Sequence, residues 1–291
     1  MKIAWVFPGQ GSQTIGMGVD LQETFVGKTR FEQAQRILGW SVLEKCQGDE
    51  EELSRTLYTQ PCLYVIESIL GDLLREKGQT PNLVAGHSLG EYSALYAARV
   101  FDFTTGLQLV QRRAQLMDTV SGGKMAALIK FDRSQLEQVI AANPSVVLAN
   151  DNSEQQVVIS GTPEAVKEVL SQIKVKRTVP LKVSGAFHSP LMKTVAQEFE
   201  TLLTAYEFTD AQIPVLSNVD PTPTQSGKVL KAHLTQQMTS SVRWRETMLQ
   251  LRKEEISHGI EVGPGKVLTG LIKRTYPNLE LANVSGIQDL V

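Results

Sequence analysis

Five residues, Gly86-His87-Ser88-Leu89-Gly90, constrain this chain more than any other stretch. They stand between a short apolar run, Asn82-Leu83-Val84-Ala85, and an alanine-rich segment from Glu91 to Val100 that reads as a helix. Strand, tight glycine turn and helix, in that order, is the local rhythm of an α/β sheet. The two glycines permit a turn sharp enough to lift a serine hydroxyl clear of the sheet edge, where the following helix N-terminus favours developing negative charge. Read alone, the five residues fit a plain glycine turn equally well.

The rest of the chain repeats that rhythm and then departs from it. Ile3 to Phe7, closed by Pro8-Gly9, predicts a buried strand that enters a loop holding Gln10 and Gln13. Helical spacing of apolar residues runs from Gln60 to Leu74, and a further helix is predicted over Thr104 to Val120. After Gly122-Gly123 the elements shorten. Strands are predicted at 125–129, 146–149, 156–160 and 178–183, and helices at 134–141 and 163–173, the second opened by Thr162-Pro163. That βαββαβ order is ferredoxin-like. Longer elements resume at Pro190, so a small unit is inserted in a large α/β one, and Pro221-Thr222-Pro223-Thr224 reads as a surface turn.

Composition excludes several classes. With 291 residues, 42% of them hydrophobic, and a formal net charge of -2, the chain can bury a large core but offers a polyanion no global positive field. Nucleic acid is therefore not an expected partner. The 2 cysteines, Cys46 and Cys62, have neither metal-ligand spacing nor the density of a disulfide framework, so no metal is expected and a reducing compartment is. No stretch approaches the roughly 18 uncharged apolar residues of a membrane span, so no membrane association is expected. The expected location is cytoplasmic, or the equivalent stroma of a plastid.

A serine hydroxyl needs a base within hydrogen-bond reach, and the chain has 4 histidines. His87 adjoins Ser88, and an elbow turns the two side chains apart. His233 and His258 lie in polar surroundings that suit solvated side chains. His188 follows Ser184-Gly185-Ala186-Phe187 in the loop where the small unit rejoins the large one, a usual place for a ligand cleft. From position alone it is as readily a structural histidine as the base. No acid stands out as a third member, and a backbone carbonyl can orient the ring instead. On the 104–120 helix Arg112 faces solvent, while Arg113 falls at the margin of the apolar stripe, where its guanidinium must meet a carboxylate of the protein or of a ligand.

These residues join a longer pattern. Phe7-Pro8-Gly9-Gln10-Gly11-Ser12-Gln13, Thr59-Gln60-Pro61, Gly86 through Tyr92, Arg113, Phe187-His188-Ser189 and Glu261 through Leu268 occur in one order from residue 3 to about residue 272. In this the sequence resembles the malonyl-coenzyme A:acyl carrier protein transacylases. The resemblance implies a hydrolase-like α/β core with a mainly parallel sheet, residues 1–122 and 189–291, and an inserted ferredoxin-like α+β subdomain, residues 123–188. It assigns Ser88 as nucleophile, His188 as base, the N–H groups of Gln10 and Leu89 as oxyanion hole, and Arg113 as the grip on the substrate carboxylate. Gln237 matches the position whose carbonyl orients the histidine, although Ser240-Ser241 stands where the family often has Asn-Pro. Phe187 implies a narrow pocket preferring malonyl over methylmalonyl, and Gln60 and Asn152 match pocket positions.

The activity implied is ping-pong transfer of malonyl from malonyl-coenzyme A, a substrate, to the phosphopantetheine thiol of acyl carrier protein, for fatty acid biosynthesis. It implies no cofactor, and a monomer is expected. The alternatives are a stand-alone malonyl acyltransferase of a polyketide assembly line and a serine thioesterase. Cationic clusters at Lys174, Lys176, Arg177 and Lys182, and at Lys266, Lys273 and Arg274, are the expected carrier-docking surface.

Overall fold

A computed structural model describes residues 1–290. In chain order the first elements are β1 (Ile3–Phe7), α1 (Phe25–Leu38), α2 (Val42–Gln47), α3 (Glu50–Leu53), α4 (Thr56–Glu76), β2 (Leu83–Gly86), α5 (Gly90–Ala97) and α6 (Phe103–Asp118). Then come β3 (Lys124–Phe131), α7 (Arg133–Ala141), β4 (Val146–Ser153), β5 (Gln156–Gly161), α8 (Pro163–Gln172) and β6 (Val175–Pro180). The chain continues with α9 (Lys193–Thr204), β7 (Val215–Leu216), α10 (Gly227–Gln237), α11 (Trp244–Lys253), β8 (His258–Val262), α12 (Val267–Thr275) and β9 (Glu280–Val284).

Strands in the order β7-β2-β1-β8-β9 form a parallel sheet with β1 at its centre, Phe7 level with Gly86 on one side and Ile3 with His258 on the other. Successive side chains of a strand leave opposite faces. Trp5, Phe7 and Val84 therefore enter one core with α4, α5 and α6, while Ala4, Val6 and Ala85 enter another with Trp244 and Met248 of α11 and Leu268 of α12. Cover on both faces is why Ile3–Phe7 reads as an unbroken apolar run.

The inserted sheet is antiparallel, ordered β4-β5-β3-β6, which is the ferredoxin-like arrangement of the predicted βαββαβ string. Its Leu128, Val157 and Ile159 pack on Leu136 of α7 and Val166 of α8, whereas Met125, Ala127 and Val158 join the main core. The small unit thus shares its inner face with the large one.

Three local expectations are corrected. The last strand of the insert is 175–180 rather than 178–183, because β6 is an edge strand and its ladder with β3 runs from Val175 to Pro180. An edge tolerates the outward Lys176 and Arg177 that disguise it. The 221–224 segment is not a free surface turn, since Pro221 is buried and Thr224 exchanges hydrogen bonds with Val215 at 2.9 and 3.1 Å. His233 is half-buried, with Nδ1 lacking a partner among the described residues, and His258 Nε2 pairs with Glu280 at 2.9 Å.

The elbow depends on its glycines. A Cβ on Gly86 would strike the Gly90 carbonyl group, and one on Gly90 would strike the carbonyl oxygens of Phe7 and Pro8. Relief would require shifting the end of β1 and the start of the loop that follows it. Gly90→Ala is expected to cost about 2 kcal/mol or more, read as a lower urea midpoint at unchanged m-value; an unchanged midpoint would show that the turn has slack.

Candidate active site

Two residues of the site occupy strained backbone. Ser88, in the turn between β2 and α5, has φ +51°, and His188 has φ +56°, both in the left-handed region that residues with a Cβ seldom adopt. Neighbouring side chains hold them there. The Ser88 N–H donates to Asn218 Oδ1 at 2.7 Å and Asn218 Nδ2 donates to the Gly86 carbonyl at 2.6 Å, so one amide straps both ends of the turn. Ser189 Oγ donates to the Ala186 carbonyl at 2.6 Å and accepts from the Leu191 N–H at 3.2 Å, which fixes the loop carrying His188.

Ser88 Oγ lies 2.8 Å from His188 Nε2, and His188 Nδ1 lies 2.9 Å from the main-chain oxygen of Gln237 at the end of α10. A carbonyl only accepts, so Nδ1 carries the proton and the Nε2 lone pair faces the serine hydroxyl, which donates to it. The carbonyl thus sets the tautomer that a triad acid sets elsewhere. Burial, and after it the nearby Arg113 charge, pull the His188 pKa down to about 3, so the ring is neutral and able to accept a proton.

Arg113, on α6, is 0% exposed. Its Nη2 donates to Ser88 Oγ at 3.1 Å and to Gln237 Oε1 at 3.1 Å, and its guanidinium carbon stands 5.4 Å from the centre of the Tyr92 ring. Nε and Nη1 have no acceptor among the described residues. The helix wheel places Arg113 at a margin; it is fully enclosed because α6 packs against α1, α4, α5 and α9 together. Of the two partners open to it from sequence, a protein carboxylate is not the one it has. Glu91 instead accepts from Gln237 Nε2 at 2.6 Å and from the Asn218 N–H at 3.3 Å, and burial raises its pKa to about 7. A buried guanidinium beside a nucleophile, with no carboxylate at hydrogen-bond distance, is a receptor for an anionic group.

The loop after β1 lies beside the elbow: the His87 N–H donates to the Phe7 carbonyl at 2.9 Å and Gly9 packs on the His87 carbonyl. The N–H groups of Gln10 and Leu89 have no acceptor among the described residues, and Leu89 immediately precedes α5. Gln10 Nε2 donates to Thr56 Oγ1 at 3.1 Å.

Ser88, His188, Arg113 and Gln237 therefore meet, while other residues singled out from the sequence stand back. Phe187 is buried in the main core, and Gln60 Nε2 donates to Met117 Sδ at 3.4 Å with Oε1 unpartnered among the described residues. Asn152 Oδ1 lies 2.8 Å from His87 Nε2, and the His87 ring packs edge-on against Trp244, so those two brace one another away from the hydroxyl. Arg112 faces solvent as expected, 3.6 Å from Glu198. Asn218 and the side chains of Glu91 and Gln237 are members that sequence reasoning missed. Asn218 follows the two-residue strand β7, too short to leave a hydropathy signal.

Two basic side chains, Lys182 and Arg55, line a wider cleft of about 850 Å³ with Thr56 and Ser184, facing Asp49, Glu50 and Asp118. Its lining is of mixed sign rather than uniformly cationic.

Known proteins carry the same arrangement of sheet and insert. A structure of malonyl-CoA:ACP transacylase from Synechocystis sp. superposes with a TM-score of 0.99 at 63% identity, covering 100% of this chain and 99% of that one. The malonyl CoA-acyl carrier protein transacylase of Synechocystis sp. is 63% identical over 100% of this chain and 99% of its own length. The polyketide biosynthesis malonyl CoA-acyl carrier protein transacylase PksC of Bacillus subtilis is 41% identical over 96% of this chain and 98% of its own. A malonyl-transacylase bound to a type II polyketide acyl-carrier protein superposes with a TM-score of 0.94 at 38% identity, covering 100% of this chain and 98% of that one. With the acyl transferase domain matching residues 4–289, which span both sheets and every residue of the site, the chain belongs to the acyl transferase domain family.

Proposed function

We propose that this chain transfers a malonyl group from malonyl-coenzyme A to the phosphopantetheine thiol of an acyl carrier protein through a malonyl ester on Ser88. One observation carries the reading: Ser88 Oγ lies within hydrogen-bond distance of both a neutral histidine and a buried guanidinium with two unanswered nitrogens. A plain thioesterase has no reason to keep such a cation beside its acyl group.

In the first half-reaction Ser88 Oγ gives its proton to His188 Nε2 and attacks the thioester carbon. The Gln10 and Leu89 N–H groups take the developing oxyanion, each donor worth about 3 kcal/mol. The C–S bond breaks and the coenzyme A sulfur leaves with the proton from His188. In the second, the carrier thiol passes its proton to His188 and attacks the malonyl ester; the C–S bond forms, the C–O bond breaks and Ser88 recovers its proton. Arg113 holds the free carboxylate throughout. Fatty acid synthesis as the destination of the malonyl group belongs to the same proposal, with a polyketide assembly line as the alternative, and the identity of the carrier protein it serves decides between them.

Measuring carrier malonylation against free malonate release tests the reading: transfer should dominate, and malonate as the main product would make the chain a hydrolase. A monomeric state and a cytoplasmic location belong to the same proposal. For the location, the unpaired buried thiols of Cys46 and Cys62 suit a reducing compartment, and no helix among the described residues is long and apolar enough to cross a membrane.

The depressed His188 pKa has a signed consequence. Because the folded value, about 3, lies below the ordinary 6.5, the neutral base persists as pH falls past 6.5 and is lost only near the lower value. The rate of Ser88 phosphonylation by a fluorophosphonate should therefore stay nearly flat from pH 8 to about pH 5. An acid limb centred near 6.5 would contradict it. In Arg113→Ala the limb should move upward, since one of the charges that disfavours imidazolium is gone.

A further inference from the structure

The end of α5 remote from Ser88 carries a second group of cations. Arg30, Arg75 and Arg99 line a cleft of about 510 Å³ together with Phe25, Asp72 and Glu76. At 1.5 Å of rise per residue, the eleven positions from Ser88 to Arg99 place it roughly 16 Å from the nucleophile, and none of the residues of the site described above lines it.

Its charges do not balance. Asp72 Oδ2 accepts from Arg30 Nη2 at 2.8 Å and from the Tyr96 hydroxyl at 2.7 Å, and the other Asp72 oxygen is 4.0 Å from Arg99. One carboxylate thus answers Arg30 and only weakly Arg99. Arg75 has no ion pair among the described residues; it donates to the Ala97 carbonyl and its guanidinium stands 5.4 Å from the Trp5 ring. Burial and the neighbouring Arg99 charge both lower its pKa. Two guanidiniums that repel each other across an open cleft are stabilised by an anion between them.

Two further features agree. Arg99 has φ +63°, at the position after α5 where the Val100 N–H closes on the Leu95 carbonyl at 3.0 Å, which glycine fills without strain. The chain keeps an arginine there. Phe25, at the rim on the first turn of α1, is 84% exposed.

We propose that this cleft binds a small phosphate monoester carrying an aromatic ring. Three guanidiniums face the two carboxylates Asp72 and Glu76, and neither Arg75 nor Arg99 has a carboxylate at hydrogen-bond distance, so their forked N–H groups are left for phosphate oxygens. The Phe25 face receives the ring.

Phenyl phosphate is the probe, titrated calorimetrically into the intact chain, with hydrogen exchange to locate it. One saturable site is expected, with slowed exchange over residues 25–30 and 98–100 and an affinity above that of inorganic phosphate. Arg99→Gly, which also relieves the strained backbone, should fold normally, keep malonyl transfer unchanged and bind phenyl phosphate roughly tenfold more weakly, as for one lost charge-assisted hydrogen bond. Arg75→Met should weaken it likewise. No saturable binding, protection over Gly86–Gly90 instead, unchanged affinity in both variants, or phenyl phosphate binding no tighter than inorganic phosphate would each overturn the proposal.

Discussion

His188→Ala is expected to slow both half-reactions by about ten-thousandfold or more, the scale on which a serine nucleophile loses its base. His188 Nε2 is 2.8 Å from the hydroxyl, and His87 Nε2 is engaged with Asn152 at 2.8 Å. No second imidazole is placed to substitute. The same atom must take the proton from Ser88 during loading and from the carrier thiol during discharge, so the two rates should fall together. Rapid-quench measurement of coenzyme A release, and of discharge from a preformed malonyl-enzyme, separates them. A loss confined to discharge would make His188 part of carrier docking rather than the base.

Arg113→Ala should reduce kcat/KM for malonyl-coenzyme A by about a hundredfold to a thousandfold while sparing or raising acetyl transfer. The guanidinium is enclosed, and two of its nitrogens await an acceptor that only a dicarboxylic acyl group brings. Deleting it removes that pair and leaves the malonyl carboxylate desolvated and unmatched. Arg113→Lys should fall between, because an ammonium keeps the charge without the fork. Equal losses for malonyl and acetyl would assign Arg113 to holding Gln237 and the elbow instead.

What could be read from the chain beforehand follows from how local each signal is. The elbow is legible because strand, glycines, serine and helix are contiguous, and the βαββαβ insert because its elements alternate at short range. Arg113 is legible as a cation at a buried margin, but its enclosure comes from the four helices packed on α6. The Gln237 carbonyl has no side-chain signature; any residue supplies one, and only the family pattern singles out that position. Asn218, joined to Ser88 across 130 positions, follows a strand of two residues and leaves no periodicity. The edge strand β6 hides behind Lys176 and Arg177, which a buried strand could not carry. Arg75 and Arg99 become neighbours only when α4 and α5 pack.

The central claim, a malonyl-serine at the elbow passed on to a carrier thiol, is tested most directly by intact-protein mass spectrometry after mixing with malonyl-coenzyme A. The account predicts a single malonyl increment on the wild-type chain, mapping to the peptide that contains Ser88, absent from Ser88→Ala and discharged when a phosphopantetheinylated acyl carrier protein is added. An increment that survives in Ser88→Ala, or one that leaves as free malonate whether or not the carrier is present, would contradict it.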